Sequence, residues 1–354
     1  MTFLAGKRVL VTGGTGSLGK VLIGRLLRGD LGLPSKVIVL SRDEAKQHFM
    51  RLEFAHKQAA TDEIIYHNFE QVLEFRIGDV RDYPSVVSAM RDADVVINAA
   101  AMKQVPTCEY FPYEAVRTNI GGAENIVRGI QEFRLPVDTV VGVSTDKACK
   151  PVNVMGMTKA VQERIFVQGN MRAPKTRFLC VRYGNVLASR GSVIPLFHEQ
   201  IRNGGPVTIT TKEMTRFLLS LDDAVNTVFA ALTMGKPGET FVPRAPSARM
   251  IDVATALIGD RDIRQKITGI RPGEKIHEIM VSEDEAPRTV QRDAWFAIQP
   301  MLPEIGGEPG SGVLTREFSS ADNVMSLGEI EDLLRERELM VENGNLALEG
   351  ELLR

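Results

Sequence analysis

Thr145, Asp146 and Lys147 put a hydroxyl, a carboxyl and an amine in consecutive positions, directly after the apolar run 139–144. Such a trio can serve as relay, acid and base. Oxidation of a simple alcohol needs no such acid–base pair. An elimination does, because one group must protonate a leaving hydroxyl while another removes a carbon-bound proton. A second chemical feature opens the chain. The run 8–12 leads into Gly13-Gly14-Thr15-Gly16-Ser17-Leu18-Gly19, which satisfies Gly13-x-x-Gly16-x-x-Gly19 and also Gly14-x-Gly16-x-x-Gly19. Glycines at that spacing permit a tight turn, close approach of backbone to a pyrophosphate, and close packing of helix on strand. A helix starting near Ser17 aims its free N–H groups at the phosphates. The chain is therefore expected to bind a dinucleotide.

The end of the second apolar run separates NAD from NADP. A site for NAD places Asp or Glu there to bond the ribose 2′-hydroxyl. This chain reads Leu40-Ser41-Arg42-Asp43, and the Arg42 guanidinium suits a 2′-phosphate through bidentate, charge-assisted bonding. NADP is the expected cofactor. NAD is the alternative, since Arg42 could instead pair with Asp43 on the surface. Gly78-Asp79-Val80 is placed beside the adenine, and Ala99-Ala100-Ala101 where the cofactor's backbone must pass closely.

These positions sit at the ends of short apolar strands, read at 8–12, 36–40, 73–77, 95–99, 139–144 and 177–181. Amphipathic helical patterns fall between them, at 19–27, 83–90, 112–133 and 154–168. The alternation is the signature of an α/β chain, a Rossmann-like doubly wound parallel sheet covered on both faces. Ligands of such sheets gather at the carboxyl edge. The interval 53–72 reads as a helix with a surface extension, 184–215 as loop-rich, and 239–243 as one further strand. The expected division gives residues 1–183 and about 221–245 to an NADP-binding domain. Residues 184–220 and 246–340 form a smaller mixed α/β substrate-binding lobe, and 341–354 a C-terminal tail behind an amphipathic helix starting near 329.

Most short-chain dehydrogenases carry Tyr-x-x-x-Lys on a helix, where i and i+4 spacing puts both side chains on one face. Here the residue four before Lys159 is Met155, which can neither donate nor accept the proton of an alcohol. Taken alone, that suggests a dead enzyme or a subgroup with altered proton traffic. Four stretches decide the matter. Ser144-Thr145-Asp146-Lys147-Ala148 with Pro151-Val152-Asn153-Val154-Met155-Gly156 closely resembles UDP-N-acetylglucosamine 4,6-dehydratases of the capsular-polysaccharide branch. Ala101-Met102-Lys103-Gln104-Val105-Pro106-Thr107-Cys108-Glu109-Tyr110, Val181-Arg182-Tyr183-Gly184-Asn185-Val186 and Arg271-Pro272-Gly273-Glu274-Lys275 resemble the same family, part of the extended short-chain dehydrogenase/reductase superfamily. The likeness spans about residues 5–335. Family members with Met in the Tyr position exist, so Met155 assigns a subgroup.

The resemblance implies a redox-neutral dehydration of a UDP-sugar. Hydride passes from sugar C4 to NADP, water is lost across C5 and C6, and the same hydride returns to C6. It implies Asp146 as the acid for the departing hydroxyl, Lys147 as the C5 base, and Lys159 at the nicotinamide ribose. A base must be neutral, so the Lys147 pKa is expected to be depressed by Lys159, by desolvation or by the cofactor's positive ring. A phosphate or ribose ligand is the other reading of Lys147. The C4 hydroxyl proton goes either to Thr145 with a water or to Asp146 itself. Lys103, Met155 and Asn185 are implied at the sugar nucleotide, with Arg271 as a pyrophosphate clamp beside Glu274. Arg216 is a further candidate contact, or a structural tie between lobes. The pattern leans toward inversion at C5. A nucleotide-sugar epimerase or reductase of the same fold is the rival reading, and a non-catalytic NADP-binding protein a more distant one.

Bulk properties exclude other classes. Lys+Arg 43 against Asp+Glu 45 leaves a net charge of −2, so no global field favours nucleic acid or an anionic membrane. Cys108, Cys149 and Cys180 show no CxxC pairing, which argues against a metal site or a disulfide framework and for a reducing compartment. No apolar run approaches the roughly 20 residues of a spanning helix, so no membrane insertion is expected. The opening residues enter a strand at once, so no signal peptide is expected. A cytoplasmic protein is expected, and the resemblance implies a homo-oligomer.

Overall fold

The computed structural model describes residues 2–55, 71–187, 193–306 and 312–341. Strands β1 (Arg8–Thr12), β2 (Lys36–Ser41), β3 (Leu73–Ile77), β4 (Val95–Asn98), β5 (Thr139–Thr145) and β6 (Arg177–Tyr183) form within two residues of the expected ends. They pair in parallel in the order β3-β2-β1-β4-β5-β6, the doubly wound arrangement. Period-two alternation sends their side chains to two separate cores. Val9, Val11, Val37, Val39, Val95 and Ile97 face one layer, and Leu10, Ile38, Leu40 and Val96 the other. Burial on both faces explains why these strands read as continuous apolar runs.

Helices pack over the two faces of this sheet. Helix α1 (Ser17–Arg28) follows the glycine turn, and α2 (Glu44–Ala55) follows β2. The helix read over 53–72 therefore begins earlier, and residues 56–70 lie outside the described residues. Buried Gln47 on α2 had masked the pattern; its amide donates to the carbonyls of Ser41 (2.9 Å) and Arg76 (2.8 Å). Then come α3 (Tyr83–Met90), α4 (Val105–Tyr110) and α5 (Gly122–Phe133), the last entered through Pro112–Ala115 and a π-helical segment, Val116–Gly121. Helix α6 (Val154–Arg172) starts at Asn153, whose side chain accepts from the Gly156 N–H at 2.8 Å.

Beyond β6 the stretch read as loop-rich contains α7 (Val193–Arg202), β7 (Val207–Ile209) and β8 (Thr215–Phe217). After α8 (Leu221–Met234), opened by a Ser220/Asp223 capping box, β9 (Thr240–Pro243) joins the main sheet parallel to β6, as the sequence suggested. Strand β10 (Ser247–Arg249) pairs with β8, and β11 (Gln265–Ile267) with β7, around α9 (Met250–Ile258). Strand β12 (Ile279–Val281) leads to the hairpin β13 (Thr289–Arg292) and β14 (Trp295–Ile298). That hairpin lies inside the stretch assigned to the lobe, yet β14 pairs with β9 and completes a nine-stranded sheet. Strand β15 (Phe318–Ser319) returns to β12, and α10 (Leu327–Glu336) packs Ile330 and Leu334 into the lobe core of Ile194, Phe197, Val253 and Leu257. Residues 342–354, most of the expected tail, lie outside the described residues.

A buried ionic cluster joins sheet and lobe. The Arg182 guanidinium, at the end of β6, donates to Glu163 of α6 (3.1 and 2.7 Å) and to Glu285 (2.8 and 3.1 Å). It also donates to the Met280 carbonyl at 2.7 Å. Burial alone would raise the Glu285 pKa, but Arg182 and the Ser282 N–H pull it down to about 2. Arg182→Met would strand two buried carboxylates without a counter-charge. Urea unfolding of that variant is expected to show a loss of about 3–5 kcal/mol, and an unchanged midpoint would refute the role of the cluster.

Candidate functional site

A cavity of about 690 Å³ opens at the carboxyl edge of the sheet, between the turns after β1, β2, β3, β4, β5 and β6. Every residue expected to hold the dinucleotide lines it: Gly13, Thr15, Gly16, Ser17, Leu18, Gly19, Ser41, Arg42, Asp79, Val80, Ala99, Ala100, Ala101 and Lys159. The glycines are there for space. Gly13 has φ +67°, and a Cβ on it would lie 2.7 Å from the Ala100 backbone. One on Gly19 would lie 2.4 Å from the Gly14 carbonyl oxygen. Helix α1 has no side-chain cap at Gly16, which leaves first-turn N–H groups free for an anion. The Thr15 and Ser41 hydroxyls share a hydrogen bond of 2.9 Å and hold this turn against β2.

Arg42 does not pair with Asp43. The Asp43 carboxylate accepts from the Lys46 N–H (3.0 Å) and pairs with its amine (3.2 Å), which holds its pKa down. The Arg42 side chain is 65% exposed and meets Asp79 only at 3.9 Å. Asp79 is engaged more closely by Arg81, at 2.6 Å. The guanidinium at this corner thus keeps donors for an incoming anion.

Thr145 and Lys147 also line the cavity. Asp146 is fully buried behind them. Its Oδ1 accepts from the Thr145 hydroxyl (2.9 Å) and from the Lys147 amine (3.0 Å), while Oδ2 has no partner. Gly184 forms the wall in front of that oxygen, where a Cβ would come within 3.2 Å of it. The carboxyl therefore reaches the cavity past a glycine or through its two neighbours.

The charge state expected of Lys147 needs correction. Burial does pull its pKa down, but Asp146 and Glu278 outweigh burial and hold the amine above its ordinary value, with Arg216 opposing them. Its Nζ lies 3.0 Å from Asp146, 3.1 Å from Asn185 Oδ1 and 3.2 Å from Glu278 Oε1. Lys159, by contrast, has its pKa lowered. It donates to the Val143 carbonyl and to Gln162 Oε1, both at 2.6 Å and both neutral, and desolvation lowers it to about 8.

The substrate candidates divide. Lys103, Met155 and Asn185 line the cavity. Met155 is buried with Cys108 and Ala115 and presents no titratable group. Asn119, inside the π-helical segment, donates to the Met102 carbonyl (3.1 Å) and accepts from its N–H (2.9 Å), which fixes the loop carrying Lys103. Arg216, Arg271 and Glu274 do not line the cavity. Arg216 is buried and spends its guanidinium on the carbonyls of Thr215 (2.7 Å), Ile276 (3.0 Å) and Lys275 (2.9 Å). Its placement is that of a tie within the lobe. Arg271 and Glu274 bracket a turn at Gly273, whose carbonyl accepts from Asn153 at 2.9 Å. Glu278 and Tyr183 were missed from the sequence. Glu278 stands four residues beyond Glu274, and only the folded chain brings it to Lys147.

Residues 9–300 match the family described as polysaccharide biosynthesis protein. The chain belongs to that family. A protein of Campylobacter jejuni named UDP-N-acetylglucosamine 4,6-dehydratase (inverting) is 42% identical over 300 residues, 84% of each chain. The resemblance read from the four motifs is thereby borne out. A protein of Rickettsia massiliae named UDP-glucose 4-epimerase is 44% identical over 341 residues, 93% of this chain and 95% of that one. Among solved structures, Pen from Bacillus thuringiensis superposes with a TM-score of 0.83 at 33% identity, covering 96% of this chain and all of the other. A dTDP-glucose 4,6-dehydratase double mutant from Streptomyces venezuelae, with NAD and DAU bound, shares the fold at 20% identity and a TM-score of 0.62, over 76% and 86% of the chains. Among the described residues no helix is long and apolar enough to cross a membrane, and no group of three or more His, Cys, Asp or Glu could hold a metal ion.

The buried Lys159 gives a pH dependence with a definite sign. Its folded pKa is about 8 against an ordinary 10.5, so between those values the unfolded chain binds more protons. Stability carried by this group therefore rises with pH across that window. Thermal unfolding of wild type and Lys159→Met is expected to diverge in the wild type's favour from about pH 8 to 10. Parallel curves would contradict the assignment.

Proposed function

We propose that the chain is an NADP-dependent UDP-N-acetylglucosamine 4,6-dehydratase, a lyase that inverts C5. The observation that carries this reading is the Asp146–Lys147 pair, joined at 3.0 Å at the end of β5 beside the glycine cradle. It stands where an elimination needs an acid and a base, with Met155 at the position of a proton-transferring Tyr. The Campylobacter relative's name supports both the substrate and the inversion.

The cradle fits a dinucleotide: Gly13, Gly16, Gly19 and the α1 N-terminus would take the pyrophosphate, Arg42 the 2′-phosphate, and Lys159 the nicotinamide ribose. Bound there, the cofactor supplies reversible hydride acceptance from sugar C4 and return to C6. The protein moves protons. Thr145, bonded to Asp146, faces the C4 hydroxyl and passes its proton inward to the carboxyl. Asp146 then gives a proton to the C6 hydroxyl as it leaves. Lys147, once it has released a proton to a neighbouring carboxylate, takes the C5 proton. Lys103 and Asn185 contact the sugar nucleotide. Arg271 and Glu274, outside the cavity wall, remain candidates for its distal phosphate end.

The test is NMR of the purified protein with UDP-N-acetylglucosamine in D₂O and no added reductant. A C6 methyl with one deuterium at C5 is expected, with H5 couplings of the inverted sugar. The Rickettsia relative's name makes 4-epimerisation the second reading, and a C4 epimer with its C6 oxygen retained would establish that instead. Asp146→Asn is expected to lower kcat by 10²–10⁴-fold, about the range for a general acid, with cofactor affinity unchanged; intact turnover would sink the acid assignment. For the cofactor, Arg42→Ala should weaken NADP roughly 10- to 100-fold, as for a charged hydrogen bond, and leave NAD nearly unaffected. Equal effects on both would favour NAD, the cofactor of the solved Streptomyces neighbour.

A further inference from the structure

We propose that Glu278 is a positioning residue for Lys147, aiming its amine into the cavity and setting the pH range in which that amine can accept a proton; this rests on the dehydratase reading. Glu278 is 2% exposed and lies outside the cavity wall, so it acts through Lys147 and not on a ligand. Its backbone is pinned. Ser320 donates to the Glu278 carbonyl from its N–H (2.8 Å), and the Glu278 N–H donates to Ser320 Oγ (2.9 Å). Rigid backbone delivers Oε1 to 3.2 Å from Lys147 Nζ, while Oε2 is buried without a partner.

The count of donors and acceptors explains what this contact does. An ammonium has three N–H donors; Lys147 donates to Asp146 (3.0 Å) and Asn185 (3.1 Å), and Glu278 Oε1 stands 3.2 Å from Nζ as its ion-pair partner. Asp146 comes from the same turn, Asn185 from the segment after β6, and Glu278 from the lobe. With all three in place, Nζ is oriented and charged; a base must first lose one of those protons. The charged groups facing the pair are Asp146, Arg216, whose Nε lies 3.8 Å from Glu278 Oε1, and Lys275 on the same segment. Arg216 is tied to backbone carbonyls of the lobe. Two buried carboxylates about one lysine would be a poor choice for stability alone, because each unpaired oxygen keeps a desolvation cost. The arrangement makes sense for an amine that must change its charge during turnover.

The experiment compares the full-length wild type with Glu278→Gln, which keeps shape and an acceptor oxygen but removes the charge. An amine-reactive acylating reagent is applied across pH, and modification of Lys147 is located by mass spectrometry, with exposed Lys212 as internal reference. Half-maximal labelling of Lys147 is expected to move down by about 1–3 pH units in Glu278→Gln, the usual effect of losing a charge at this distance. The acid limb of kcat should move the same way, with KM little changed, and Glu278→Asp should restore most of the wild-type profile. Unshifted Lys147 labelling in a folded Glu278→Gln overturns the inference. Should that variant not fold, the wild type decides: half-maximal labelling of Lys147 at or below the pH found for Lys212 overturns it equally. Labelling does not require turnover. Absence of dehydration by the wild type therefore tells against the function proposed above, whereas unshifted labelling in an active enzyme tells against Glu278.

Discussion

The structure depends on one guanidinium. Arg182 is buried at the end of β6 between Glu163 of α6 and Glu285 of the lobe, and it also holds the Met280 carbonyl. Each contact fixes something the site needs. Glu163 accepts from the Ser144 hydroxyl at 2.5 Å, which anchors the strand end that carries Asp146 and Lys147. Met280 sits two residues from Glu278, so the same cation sets the lobe segment that faces Lys147. Glu285 accepts from the Ser282 N–H (3.1 Å) and closes the turn between β12 and β13. Such a cluster is not retained for stability as such, since an apolar replacement of the same shape often does as well. What it provides here is registration of sheet against lobe.

Around that anchor, two lysines of one helix-and-strand corner are tuned in opposite senses. Lys147 lies between two carboxylates that favour its charged form at rest. Lys159 lies among neutral oxygens and is pulled toward neutrality at physiological pH. Titratable groups pushed apart by their surroundings are a mark of divided acid–base roles. The contrast is also economical in sequence: both residues are the same type, and only their neighbours differ.

How much of this could be read beforehand follows from distance along the chain. The glycine turn, the strands and the Asp146–Lys147 pair are local patterns, and each was legible because its physics is complete within a few residues. Residues 289–298 were not, because their place in the sheet depends on pairing with β9, whose Pro243 meets Trp295. Helix α2 was obscured by Gln47, a polar residue buried to satisfy two strand carbonyls. The charge state of Lys147 was misjudged for the same reason that Glu278 was overlooked. Desolvation can be anticipated from a strand end, but a counter-charge delivered from residue 278 by a separate lobe cannot.

Met155 gives the arrangement its direction. The groups at this wall able to move a proton include Thr145, Lys147, Lys159 and Tyr183, with Asp146 behind them. Burial pushes the Tyr183 phenol away from ionisation and leaves it a poor base. In the proposed dehydration the C4 hydroxyl losing hydride must still lose its proton, and the path proposed for it runs through Thr145 to Asp146, whose Oδ1 accepts from the Thr145 hydroxyl at 2.9 Å. A carboxyl protonated by that first step is then the acid that the departing C6 oxygen requires. Epimerisation would have to send the same proton back to O4 and would leave Lys147 without a task. Dehydration uses the proton once, in one direction, and gives each member of the trio something to do.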